Sequence, residues 1–234
     1  MFIPLRDDNA LKSIRYQYVT ISLIAVNVLV YIFEVSGLDD GAIRSFGVTP
    51  RALMAGSLFS TPLPTAEDSV PIVEGATLLT YMFFHADIFH LLGNMLFLWV
   101  FGDNVEDAMG HAKFLFFYLA CGVFAGLFHA WMVPDSDLPL IGASGAVAGV
   151  IAAYLMLHPR VGVWILAFKF IPLRISAGLV LGLWIVLQIV MVAVSDAGPT
   201  AWWAHIGGLL AGAALILVLR RPGVPLFDKG TRLA

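Results

Sequence analysis

Charge is scarce in this sequence. Lys, Arg, Asp and Glu make up 12% of its 234 residues, against about a quarter in an average globular domain, too few to cover a water-exposed surface. The charges cluster and leave long stretches with none, and a net charge of −3 says little when distribution matters more than sum. That composition argues against a soluble enzyme, a disordered chain and a nucleic-acid binder. Cysteine is nearly absent as well: Cys121 stands alone, which rules out an internal disulfide or a cysteine metal cluster. HExxH, paired intramembrane aspartates and Walker-type glycine loops are missing, so metalloprotease, aspartyl protease and nucleotidase readings fall away. What remains is apolar. Sixty per cent of positions are hydrophobic, the composition of a polytopic membrane protein.

Uncharged windows mark the spans. They are Tyr16–Phe33, Ile88–Gly102, Phe114–Pro134, Leu138–Pro159, Ile175–Ser195 and Ala197–Leu219. Spanning takes about 20 mostly apolar residues, so six helices are expected, the second continuing through Asp103–Ala108. Two connections stand out. Gly37–Ala76 is too structured in composition for a simple linker, and Val161–Arg174, with Trp164, Phe168, Lys169, Phe170 and Arg174, is expected to lie along the membrane interface. The chain reads as a single domain, residues 1–234, with its six-helix core over about 18–220.

Basic residues set the orientation. Six spans put the N-terminus, the 2–3 loop, the 4–5 loop and the C-terminus on one side, with eleven Lys and Arg; only Arg44 and Arg51 fall on the other. The positive-inside rule then places both termini in the cytoplasm. No cleavable signal peptide or organelle-targeting segment is evident. A prokaryotic plasma membrane is therefore expected, and the short termini predict no appended soluble regulatory domain.

Polar groups inside spans are functional candidates, because burying them is costly. Span 2 opens with His85, His90 and Asn94, span 4 with Gly142-Ala143-Ser144-Gly145, and span 6 holds Ala204-His205 with Gly208 and Gly212. Taken singly, each has a plainer reading: small residues pack helices, and a lone His or Asn bonds a neighbour. Depth favours a site. Ser144 precedes the Arg160 anchor by 16 positions and His205 precedes Arg220 by 15, roughly 22–24 Å above the inner face at 1.5 Å per residue. Asn94, 14 positions before Ala108, shares that level.

These residue types suit acyl transfer. A serine hydroxyl needs a base to take its proton, and neutral imidazole is the usual one. Ser144 enters a helix, where unpaired N–H groups favour an oxyanion. Asn94 can add an amide donor, and His90, four residues earlier on the same face, another. His85 is off that face, and a structural hydrogen bond is expected for it. Small-residue stripes (Gly145, Gly149 and Ala153 on span 4; Gly208 and Gly212 on span 6) would let the two helices approach closely enough for a Ser–His contact. No acidic residue adjoins His205, and Asp196 lies nine positions away, so a dyad is expected. Metal binding by His85, His90 and His205 is disfavoured, since the first two diverge on a helix.

In these motifs the sequence resembles the rhomboid family of intramembrane serine proteases. The matches are His85-x4-His90-x3-Asn94, Glu106-x3-Gly110, Gly142-x-Ser144-Gly145 and Ala204-His205-x2-Gly208-x3-Gly212, in family order on spans 2, 4 and 6. The resemblance implies an all-α, six-transmembrane-helix bundle. It implies Ser144 as nucleophile, His205 as general base, and His90, Asn94 and the Ser144 N–H as oxyanion hole. Gly142 would shape the approach to Ser144, and Glu106 would anchor the end of span 2. Span 5 and the loop after it would admit substrate, and the first external loop would lie partly in the membrane. Implied partners are transmembrane protein substrates, cut near their outer ends beside small residues, and the bilayer itself. No cofactor is implied and no oligomeric state is specified. Two features depart from many relatives: Ala148 replaces the aromatic four positions after the serine, and the first loop has no Trp-Arg pair. The alternatives are a non-catalytic rhomboid-like protein that binds membrane helices, and a small transporter or channel. The latter is disfavoured because no inverted repeat is evident.

Overall fold

The structure, a computed structural model, describes residues 2–56, 70, 72–167, 170–194 and 201–228. It begins with strand β1 (Ile3–Asp7), then α1 (Tyr18–Gly37), short helices α2 (Asp40–Phe46), α3 (Pro50–Ala55) and α4 (Glu74–Thr80), and a 3₁₀ turn, Tyr81–Phe83. Helices α5 (Ile88–Met109), α6 (His111–Met132) and α7 (Ser144–Leu157) follow. A hairpin of β2 (Gly162–Ala167) and β3 (Ile171–Ser176) leads to α8 (Ala177–Val194) and α9 (Trp202–Leu219).

Helices α1, α5, α6, α7, α8 and α9 are the six anticipated spans. Five of them are long and apolar enough to cross a membrane; the chain is a polytopic integral membrane protein. The second does continue past Asp103, to Met109. The fourth differs from its 22-residue window. Only 14 residues are helical, about 21 Å of rise, because the chain before Ser144 is held as a loop: Leu140 pairs with Val48, and the Gly142 N–H donates to the Tyr81 carbonyl at 2.9 Å. Helix α7 can be short because it is central. Every residue from Gly145 to Tyr154 is buried, against neighbours α5, α6 and α9, whereas α1 and α8 turn Leu29, Phe33, Leu183 and Val194 outward.

The helical bundle carries an addition that the all-α reading omits. Val161–Arg174, expected as an interfacial stretch, supplies β2 and most of β3, which join β1 in an antiparallel sheet of order β1-β2-β3. Val163 and Ile165 point inward with period two and are buried. Long-range pairing with the N-terminal segment converts an amphipathic loop into sheet.

The end of the molecule that carries this sheet is tied by carboxylates. Glu106, fully buried, accepts from the Val19 N–H (3.0 Å), the Thr20 N–H (2.8 Å) and the Thr20 hydroxyl (2.7 Å), capping α1, whose own N-cap Gln17 makes no side-chain bond. Asp107 accepts from the N–H groups of Lys12, Ser13 and Ile14. The Arg221 N–H bonds the Ala108 carbonyl and the Phe227 N–H that of Met156. N-terminal segment, α5–α6 turn, hairpin and C-terminal segment thus meet at one end, the grouping that six spans require. Phe168, Lys169, Lys229 and Arg232 lie outside the described residues, as do 57–69 and 71 of the first loop; the described part of that loop includes α2 and α3.

Candidate active site

Ser144 is the first residue of α7, so its N–H and the next two have no intrahelical acceptor. The approach is set by Gly142 at φ +119°, a backbone conformation costly for any residue with a Cβ. Space forbids one as well: a Cβ there would sit 2.5 Å from His90 Cε1 and 2.8 Å from His90 Nε2. The imidazole of His90 therefore lies against the loop two residues before the serine.

His205 is on the first turn of α9 and is 8% exposed. Its Nε2 lies 2.9 Å from Ser144 Oγ. That distance depends on how closely α7 and α9 approach, and glycines set the limit. A Cβ on Gly208 would collide with the Gly145 carbonyl, and one on Gly212 with the Gly149 backbone. A Cβ on Gly145 would come 2.6 Å from the Ala125 methyl of α6, so small residues line that contact too. The two small stripes face each other across this seam.

Three side chains frame the imidazole. His205 Nδ1 lies 2.7 Å from Gln188 Oε1 of α8. Trp202 stands edge-on, ring centroids 5.8 Å apart at 89°, and Trp184 lies at 6.0 Å, tilted 34°. Trp184 packs on the small cluster formed by Ala148, Ala152 and Leu209. The aromatic contact that Ala148 cannot make thus comes from α8. Neither Gln188 nor the tryptophans were singled out in the sequence, although one signal was there: Gln188 is the sole amide in an otherwise apolar span, and buried polar side chains in spans are candidates by default.

Asn94 is buried one turn beyond His90 on α5, and its Nδ2 has no hydrogen-bond partner among the described residues. His85 makes a structural contact beside the site: its backbone N–H donates to Glu34 Oε2 at 3.2 Å, and its ring meets that of His90 edge-on at 5.2 Å. Glu106 lies far from this cluster, in the α1 cap. Asp196 and the rest of the α8–α9 connection, 195–200, lie outside the described residues.

Fold and site together define a helical-bundle membrane protein with a part-buried serine–imidazole contact between two of its helices. A family model described as Rhomboid domain matches residues 74–222, and the chain belongs to the rhomboid family. It is 28% identical over 200 residues to presenilin-associated rhomboid-like protein, mitochondrial, of Homo sapiens, covering 81% of this chain and 45% of that protein. It is 31% identical over 140 residues to Rhomboid protein 1, mitochondrial, of Saccharomyces cerevisiae, covering 56% of this chain and 38% of that one. Against Rhomboid-like protein 11, chloroplastic, of Arabidopsis thaliana, identity is 28% over 155 residues, covering 61% and 52%. The chain spans about half the length of the curated relatives it matches. Their names place them in mitochondria and chloroplasts, so the expectation of a prokaryotic plasma membrane finds no support among them.

Proposed function

We propose that the protein is an intramembrane serine endopeptidase that hydrolyses peptide bonds in or near transmembrane helices of membrane-protein substrates. The observation that carries this reading is the 2.9 Å contact between Ser144 Oγ and His205 Nε2, in hydrogen-bond range for a nucleophile and its base.

In the proposed cycle His205 Nε2 takes the hydroxyl proton as Ser144 Oγ attacks the scissile carbonyl carbon. The oxyanion that forms is met by the Ser144 N–H, by Asn94 Nδ2, which has no partner to give up among the described residues, and by His90 beside Gly142. Collapse breaks the C–N bond while His205 returns the proton to the leaving amine. Water, deprotonated by the same imidazole, then hydrolyses the acyl-enzyme and regenerates the serine. Only side chains, backbone and water take part.

Substrates enter beside α8, whose outward face is apolar, and are cut near the helix end on the Ser144 side, where small residues let the helix unwind. The end that carries the sheet and most of the Lys and Arg faces the cytoplasm or its topological equivalent.

Covalent labelling of the purified protein with a fluorophosphonate or isocoumarin tests the reading. Label is expected on Ser144, absent in Ser144→Ala and strongly reduced in His205→Ala. Equal labelling of all three would remove the Ser–His mechanism and leave non-catalytic helix binding as the function.

A further inference from the structure

Of the 18 residues of α8, only Ala177, Val180, Leu181 and Gln188 are buried. The first three lie in its first half. In the second half, Val186, Leu187, Ile189, Val190 and Val194 are all exposed, and Gln188 alone turns inward, 2% exposed. A buried amide in an apolar span is costly unless bonded, and both ends of this one are. Its Nε2 donates to the Trp184 carbonyl one turn back at 3.1 Å, and its Oε1 faces His205 Nδ1 at 2.7 Å.

The first bond decides the chemistry of the second. A backbone carbonyl can only accept, so the amide must present its NH₂ to Trp184. Flipping it would put two acceptor oxygens against each other. The carbonyl oxygen therefore faces the imidazole, and Nδ1 must carry the proton to satisfy it. A neutral imidazole protonated at Nδ1 is bare at Nε2, which is the nitrogen next to Ser144 Oγ. The direction of each bond follows in turn: Gln188 Nε2–H to Trp184 O, His205 Nδ1–H to Gln188 Oε1, Ser144 O–H to His205 Nε2.

We propose that Gln188 is a positioning residue, which holds His205 in the one neutral tautomer able to take the Ser144 proton. The proposal rests on the serine-protease reading and deepens it. A neutral amide takes the orienting place that a carboxylate fills in a Ser-His-Asp triad. Since Gln188 rides on α8, the tautomer is held only while α8 is docked on α7 and α9; a helix that swings aside takes the base's orientation with it.

The test uses the whole protein in micelles with 15N-labelled histidine, the His205 signals being assigned by difference from His205→Ala. Wild type is expected to show Nδ1 protonated and Nε2 bare, and Gln188→Leu a loss of that preference. The rate of fluorophosphonate labelling at Ser144 should fall roughly 10- to 100-fold in Gln188→Leu, well short of the about 10⁴-fold that an enforced wrong tautomer costs. Gln188→Glu keeps an acceptor for Nδ1 and should recover most of the rate. A wild-type imidazole protonated at Nε2 overturns the proposal, and that spectrum decides even if Gln188→Leu fails to fold. Equal labelling rates in Leu and Glu variants would reduce Gln188 to packing and also overturn it. A wild type that shows the Nδ1–H tautomer but never labels would instead sink the protease reading, and with it any role for Gln188 in catalysis.

Discussion

Gly208 of α9 lies so close to the Gly145 carbonyl of α7 that no Cβ fits between them. The obstacle is backbone, which cannot rotate out of the way as a side-chain tip would. Gly208→Val must push the two helices apart, and the Ser144–His205 contact stretches with them. Loss of fluorophosphonate labelling by 10²-fold or more is expected, in the range of general-base loss, with destabilisation of about 1–3 kcal/mol from overpacking. Labelling rate and thermal midpoint in detergent check both; full activity would mean the close approach is dispensable.

Asn94 gives the opposite pattern. Its Nδ2 has no partner among the described residues, so Asn94→Ala breaks no bond of that nitrogen in the resting protein. Turnover should drop by about 10²-fold, the usual cost of one oxyanion donor, while the thermal midpoint stays near wild type. Unchanged turnover would assign Asn94 to helix packing.

Glu106 is predicted to matter for stability alone. Its carboxylate is fully buried and takes two N–H groups of α1 and the Thr20 hydroxyl, so Glu106→Ala strands several donors at once. Each stranded buried group costs about 1–3 kcal/mol. A large fall in thermal midpoint is expected, with residual folded protein still labelling at Ser144.

His158, just past the end of α7, sets a pH dependence. Burial first, and then the positive charge of Lys12, push its pKa from 6.5 down to about 4, against the opposing pull of Asp228 and Asp107. The folded state thus prefers the neutral ring. Its contribution is complete above pH about 6.5 and is lost as pH falls through about 4, at most about 3 kcal/mol. Thermal midpoints between pH 7 and 4 should fall less steeply in His158→Gln than in wild type. Parallel curves would show that His158 is not the group responsible.

The residues that the sequence made conspicuous are those out of place in a membrane. Ser144, His205, His90 and Asn94 could be singled out because polar groups in apolar windows need a reason, and counting residues from Arg160 and Arg220 put two of them at one level. The glycine stripes were legible from their four-residue spacing. Gln188 was overlooked because a single amide in α8 has no motif around it; its importance lies in an atom of another helix 17 positions away. The sheet was missed for a similar reason, since β2 pairs with residues more than 150 positions earlier.

Sequence alone determined that the chain crosses the bilayer as a bundle of apolar helices, because hydrophobic length and the placing of charge act on each segment independently of its neighbours. Tertiary structure decided which polar groups touch. It cut the fourth helix short at Ser144, let α9 approach α7 until backbone met backbone, and brought an amide from α8 to the far side of the imidazole. Those are contacts between segments distant along the chain, and their geometry comes from packing, which no local pattern encodes.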